Sequence, residues 1–126
     1  MSLLIALTRN IAQTSQNAED PRLRTRLYAL SRETVWTTVQ QLAGTWPGWT
    51  VISADPAEGQ LKVEARTRLL KFVDDVTLHV RPASGRTISV DMHSRSRLGT
   101  ADFGTNARRI GAFLAALDSA LAPPQA

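Results

Sequence analysis

A chain of 126 residues, 43% hydrophobic and 21% charged, has the length and composition of one globular domain with a single core. It holds no cysteine and only two histidines, which excludes disulfides and thiolate chemistry and argues against a structural metal site. The net charge of +4 comes from arginines interleaved with Asp and Glu, and three Trp, three Phe and one Tyr are too few to build a stacking platform, so nucleic acid is not an expected partner.

In chain order, the apolar run at residues 2–7 falls short of the ~7–15 residues of a secretory core and the ~20 of a membrane helix. The expectation is a soluble, cytoplasmic chain with no transmembrane segment. Residues 1–20 read as an N-terminal arm ending at the breaker Pro21, residues 21–122 as one α+β domain, and residues 123–126 as a disordered tail. Residues 22–30 alternate, with Leu23, Thr25, Leu27 and Ala29 on one side and Arg24, Arg26 and Tyr28 on a solvent face, which predicts a strand. Ser31 is the expected N-cap of a helix with Glu33 in its first turn. Val35, Trp36, Val39, Leu42 and Ala43 share its apolar stripe, Gly44 ends it, and Pro47-Gly48 turn the chain. The helical spacing of Trp36 with Val39 assigns it to the core rather than to a ligand.

Two hairpin turns follow from the punctuation. Trp49 and Val51 alternate with Thr50 and Ile52, residues 55–59 turn, and Leu61, Val63 and Ala65 alternate with Lys62, Glu64 and Arg66. A third strand is predicted over 72–80 and a fourth over 87–93, joined by Pro82-Ala83-Ser84-Gly85. The chain closes on a helix carrying Ile110, Phe113, Leu114, Leu117 and Leu121 on one face, which Pro123-Pro124 terminates. The order strand, helix, four strands, helix gives an α+β two-layer sandwich: an antiparallel sheet of about five strands with two helices on one face. This order resembles helix-grip domains such as those of the outer-membrane assembly lipoprotein BamC, a likeness that carries no function.

Parity places the polar residues. Pairing the third and fourth strands so that Val80 faces Ile88, Leu78 faces Val90 and Val76 faces Met92 matches apolar with apolar. That register sets Asp75 opposite His93 on the outer face, Asp74 opposite Ser94 on the inner face, and Arg95 diagonal to Asp75. A carboxylate at the core edge needs donors. Ser94, Ser96, Arg97, Asn106 or the N–H groups of the last helix are the candidates. Thr105, or Asp102 one turn earlier, is the expected N-cap, with Gly99 and Gly104 allowing tight turns.

Phe72-Val73-Asp74-Asp75-Val76, with Ser94-Arg95-Ser96-Arg97-Leu98-Gly99-Thr100-Ala101-Asp102-Phe103-Gly104-Thr105-Asn106-Ala107-Arg108-Arg109-Ile110, resembles the domain-of-unknown-function family DUF1499. Members show an F-V-D-D segment and then S-x-S-R-x-G-x-x-D-x-G-x-N-x-x-R-I. The resemblance spans roughly residues 20–121 and is specific over 72–110. An Asn-Pro or Asn-Cys segment near the start of the domain has only Thr8-Arg9-Asn10 and Ser15-Gln16-Asn17 as counterparts here, and the membrane or lipoprotein segment of many members has none. The family has no assigned activity, so the resemblance implies none.

The functional expectation is therefore an uncharacterised, non-catalytic binding or assembly module with no cofactor and no metal. Its distinctive feature is a polar corner of Asp74, Asp75, Ser94, Arg95, Ser96, Arg97, Asp102, Asn106 and Arg109 that is mainly structural. The alternative is a small-anion or phosphate-binding protein, or an enzyme, in which Arg95, Arg97, Arg108 and Arg109 ring the N-terminus of the last helix. Against it, the same arginines can pair internally with Asp74, Asp75, Asp91 and Asp102. Asp74 and Asp75 are consecutive strand residues and point apart, as do His93 and Ser94, which argues against a paired-carboxylate or triad mechanism. His79 is read as an exposed bystander. The partner is expected to be a protein or an anionic small molecule, with a homo-oligomer through a strand edge or the outer sheet face also possible.

Overall fold

The computed structural model describes residues 10–67, 72–97 and 104–122. The apolar run 2–7, Gly99, Asp102, Pro123-Pro124 and the tail 123–126 lie outside them. The strands are β1 (Ile11–Gln13), β2 (Arg26–Tyr28), β3 (Trp49–Asp55), β4 (Gln60–Arg66), β5 (Val73–Ala83) and β6 (Thr87–Ser96), and the helices are α1 (Arg32–Thr45) and α2 (Thr105–Leu121). They form one antiparallel sheet in the order β1-β6-β5-β4-β3, with β2 also paired to β6. The α+β class and the antiparallel sheet are as expected, with six strands in place of about five.

Period two puts Leu61, Val63 and Ala65, Val76, Leu78 and Val80, and Val90 and Met92 on one sheet face, all buried. Period 3.6 puts Val35, Val39 and Ala43 of α1, and Ile110, Phe113, Leu114 and Leu117 of α2, against that face. Ser31 caps α1, its hydroxyl accepting from the Thr34 N–H at 3.1 Å. Phe113 stacks on Trp49 with ring centroids 4.9 Å apart and meets Trp46 edge-on at 5.2 Å, so it joins α2 to the start of β3. Burying such a ring contributes about 2–3 kcal/mol. α1 runs one residue past Gly44 to Thr45, and Gly48, at φ 77, makes the following turn, where a Cβ would lie 3.0 Å from the Arg66 carbonyl oxygen, before the chain returns as β3.

The first strand region is the largest departure. Residues 11–13, within the expected arm, pair with β6 at residues 93–95, and residues 26–28 pair with β6 at 88–90. β1 and β2 are thus two halves of one edge strand, interrupted by residues 15–25. That excursion is pinned at both ends, because Thr14 and Thr25 each donate a hydroxyl to Asp91 Oδ1. It carries a short 3₁₀ turn, Pro21–Leu23, capped by Asp20, whose Arg22 stem lies close against Gly111 of α2. Pairing with β6 also reverses the expected parity. Leu27 sits opposite Ser89 on the open face and is 54% exposed, whereas Tyr28 sits opposite Ile88 on the helix side. The alternation alone did not distinguish the faces, and the deciding contact is on α2: Asp118 accepts from Tyr28 Oη at 2.6 Å and Arg26 Nε at 3.0 Å.

The β5–β6 register is also shifted. Val80 faces Val90, Leu78 faces Met92 and Val76 faces Ser94, two residues from the expected pairing. β5 runs on through Pro82 and Ala83, and the turn is only Ser84–Arg86, with Gly85 at φ 69 and Arg86 at φ 60. Proline is tolerated there for a geometric reason. The Val80 N–H points toward β4, bonding the Gly59 carbonyl at 2.7 Å, and residues two apart point alike. The missing N–H of Pro82 therefore faces a side where β4 has already ended, and no ladder bond is lost. A slip of two keeps every side chain on its expected face.

Candidate functional site

The slip re-pairs the polar residues. Asp74 now lies opposite Ser96, and Asp75 opposite Arg95. Arg97, not Arg95, becomes the diagonal neighbour of Asp75. The α2 N-terminus differs too: Gly104, at φ 80, is the N-cap residue and Thr105 is the first helical residue, while Asp102 lies outside the described residues. The left-handed conformation at Gly104 turns the chain into the helix and carries Asn106 and Arg109 inward on the stripe of Ile110 and Phe113.

Five of the expected residues meet on the inner side. Asp74, Ser94, Ser96 and Asn106 are buried, and Arg109 nearly so. Arg109 Nη2 lies 2.8 Å from Asp74 Oδ2, with the two side chains 10% and 3% exposed. Arg109 Nη1 donates to Asn106 Oδ1 at 2.8 Å and to Ser94 Oγ at 3.1 Å, and the Ser94 hydroxyl donates to Asn106 Oδ1 at 2.6 Å. Asn106 Nδ2 donates to Ser96 Oγ and to the Asn10 carbonyl, both at 3.0 Å. Asn10 in turn accepts the Ser96 N–H at 2.9 Å and donates its side chain to the Ser96 carbonyl at 3.3 Å. One amide side chain therefore ties β6, α2 and the residue before β1 together. Among the described residues no buried side-chain nitrogen or oxygen lacks a partner.

Asp75, Arg95 and Arg97 lie on the opposite face of the sheet. Arg97 grips Asp75 with two bonds, Nε to Oδ2 at 2.9 Å and Nη2 to Oδ1 at 2.7 Å, and also reaches Glu64 Oε2 at 2.6 Å. Glu64 and Asp75 are directly opposed across β4 and β5, a like-charge pair that costs energy unless a cation sits between them. Arg97 supplies that cation. Its hydrogen bonds hold the Asp75 carboxyl below the usual carboxylate range, and the two carboxylates raise the arginine further above its already high value. The Arg95 side chain, exposed opposite Asp75, makes no hydrogen bond or ion pair among the described residues. The arginines therefore do not ring the helix terminus: Arg97 is on the outer face, Arg109 is turned into the core, and Arg108 reaches back to Thr105 Oγ1 at 3.3 Å.

Asp74 and Asp75 face opposite ways, and His79 and His93 share the open face with Asp75. His79 lies opposite Asp91 and 3.1 Å from Arg81 through its Nδ1, with burial first and Arg81 next lowering its pKa. Among the described residues no cluster of His, Asp and Glu has the geometry to hold a metal ion. Three partners escaped sequence reasoning. Glu64 was detectable once β4 was registered against β5, Asn10 only as a counterpart of the family's N-terminal Asn segment, and Asp118 carried no sequence signal.

The sequence of the family described as protein of unknown function (DUF1499) matches residues 6–117. The chain belongs to that family. The described residues of its polar motif are split between the two faces of the sheet. No curated protein matches the chain by sequence. Among solved structures it is similar to a structural-genomics protein of Deinococcus radiodurans, at a TM-score of 0.52 and 8% identity, covering 86% of this chain and 95% of that one. It is also similar to the di-domain ARO/CYC protein BexL of the BE-7585A biosynthetic pathway, at a TM-score of 0.55 and 16% identity. That match covers 90% of this chain and 48% of BexL, so the chain spans about half of that protein. Both likenesses are of fold alone. Among the described residues no helix is long and apolar enough to cross a membrane.

Proposed function

We propose that the chain is a non-catalytic binding or assembly module whose inner polar corner is a structural clamp and whose open sheet face is its interaction side. The observation that carries this reading is the mutual satisfaction of Asp74, Arg109, Ser94, Ser96 and Asn106, which leaves no buried donor or acceptor aimed at a ligand among the described residues. A binding pocket ordinarily keeps a few convergent polar groups for its ligand, and here they are spent on one another. Both helices pack on the other face, so the outer row of Glu64, Asp75, Arg95 and Arg97 stays within a partner's reach. The reading in which an anion or a substrate sits at the N-terminus of α2 has less support, because Arg109 is committed inward and Arg97 lies across the sheet.

The test is Asp74→Asn, followed by chemical denaturation and by isothermal titration with inorganic phosphate. A clamp loses about 3 kcal/mol when its carboxylate is neutralised and a buried guanidinium is stranded. Phosphate should leave the wild type unchanged. A variant of undiminished stability, or wild-type binding of phosphate that the substitution removes, would overturn the proposal.

A further inference from the structure

The open face of the sheet carries a surplus of positive charge. Strand parity puts Lys62, Arg66, Arg81, Arg95 and Arg97 there, against Glu64, Asp75 and Asp91. All three carboxylates are already engaged, Glu64 and Asp75 by Arg97, and Asp91 by the Thr14 and Thr25 hydroxyls. The side chains of Lys62, Arg66 and Arg95, by contrast, have no hydrogen bond or ion pair among the described residues. Elsewhere the ion pairs match one cation to one carboxylate, as Arg22 to Asp20 and Arg26 to Asp118. Ile11, Leu27 and Ile52, three of the five exposed large hydrophobic residues described, also lie on the open face. Beside Ile52 a hollow of about 290 Å³ lies between Lys62, Thr77 and Arg97, at the bottom of the ~300–1,000 Å³ range of small-molecule pockets and suited to one side chain.

We propose that the open face binds an acidic segment of a partner protein, about seven residues long and extended across the strands, with an aliphatic side chain at each end. This rests on the reading of that face as the interaction side and adds what the face recognises. Ile52 on β3 and Ile11 on β1 mark the two ends. In the order β1-β6-β5-β4-β3 they are four strand spacings apart, about 19 Å at ~4.8 Å each. An extended chain covers that distance in about six steps of ~3.3 Å, and its alternate side chains face the sheet. The first and last of the segment then reach the two isoleucines, with two more between them. Arg95 is directly opposite Ile11, and Lys62 is opposite Ser53, next to Ile52. The free cations thus fall just inside the two aliphatic ends, where carboxylates of the segment would complement them. An anionic lipid surface fits less well. It would also press its charges against Glu64, Asp75 and Asp91, and it could not enter the hollow.

The probe is the N-acetylated, C-amidated peptide Leu-Ser-Asp-Ser-Glu-Ser-Leu, titrated calorimetrically into the full chain. So small a contact should bind with a Kd on the order of 100 µM. Raising salt from about 50 to about 300 mM should weaken it at least about threefold. Lys62→Glu and Arg95→Glu should each weaken it about tenfold, and Ile52→Ser at least about threefold. All three positions are exposed, so circular dichroism should show the wild-type fold in each variant. The same peptide with Asn and Gln in place of its acids should not bind, and vesicles of phosphatidylserine and phosphatidylcholine should not sediment the chain. A wild type that ignores the acidic peptide overturns the acidic partner, while the inner clamp still stands or falls on Asp74→Asn. Binding that is indifferent to the three substitutions overturns the open face as the interaction side as well. Sedimentation with the vesicles would overturn the protein partner in favour of a lipid surface.

Discussion

Asp74 and Asp75 are neighbours in sequence with the same chemistry, and each is gripped by one arginine, yet the two pairs do different work. Asp74 and Arg109 are buried, and three neutral polar side chains complete their surroundings. Asp75 and Arg97 stand about half in water, with Glu64 as a third member. Geometry does not separate them, since the outer pair is bidentate and the shorter of its bonds matches the inner distance. Solvent does. Taking two charges out of water costs about what their attraction returns, so the inner pair adds little net stability while making the removal of either partner severe. The outer pair is screened and contributes little either way. The lesson is that a motif residue's distance to its partner says less about its weight than its access to water.

The sharpest break in that comparison is Arg109→Met, which leaves the Asp74 carboxylate buried without its cation. A loss of about 3–5 kcal/mol in denaturant titration is expected, a large share of a typical domain's stability. Adding Asp74→Leu to that variant should recover most of the loss, because an apolar pair avoids the desolvation cost. Asn106→Ala comes next. It removes the acceptor shared by Ser94 and Arg109 and the donor reaching Asn10, and should cost about 1–3 kcal/mol in the same assay. A smaller change than that of any outer-face substitution would contradict the distinction drawn between the two faces.

The contrast between faces was legible in the sequence, because strand parity alone sends residues 74 and 75 to opposite sides and a two-residue slip preserves parity. The partners were less legible. Arg109 shares a helical stripe with Asn106 and Phe113, which points it inward, but the choice between it and Arg97 as the partner of Asp74 needed the faces to be compared. Arg97 has odd parity with Asp75, a signal present but unused. The register failed where Pro82 was taken as a stop, because a proline ends a strand only where its N–H has a neighbour to bond, and β4 ends before reaching it. Of the β1–β2 edge, β2 falls within the strand expected over 22–30, whereas β1 was not legible. Three-residue strands give no period, and the inward side of β2 is marked by Asp118, ninety residues beyond Tyr28 on α2.

Tyr28→Phe tests that last contact at intermediate scale. Burial, and then the bond to Asp118, raise the phenol's pKa, so the neutral hydroxyl is the form the fold keeps. Deleting it should cost about 1 kcal/mol, since Arg26 still satisfies one oxygen of Asp118. A loss as large as that of Arg109→Met would mean that depth of burial is not the deciding variable.

The smallest effect belongs to Asp75→Asn. Its pKa lies below the ordinary 3.8, chiefly through the Arg97 hydrogen bonds. A depressed folded-state value means the stabilising contribution is fully present above the unfolded value and is lost as pH falls through the folded one, so the window lies below about pH 4. At neutral pH the substitution also removes the repulsion from Glu64, which offsets the lost attraction of Arg97. The unfolding midpoint at pH 7 should therefore move little, and salt of about 1 M should erase even that difference. Only below pH 4 should the wild type lose stability faster than the variant. If Asp75→Asn instead destabilised the chain at neutral pH as severely as Asp74→Asn, the outer pair would have to be shielded from water in solution, as a partner docked on the open face would shield it.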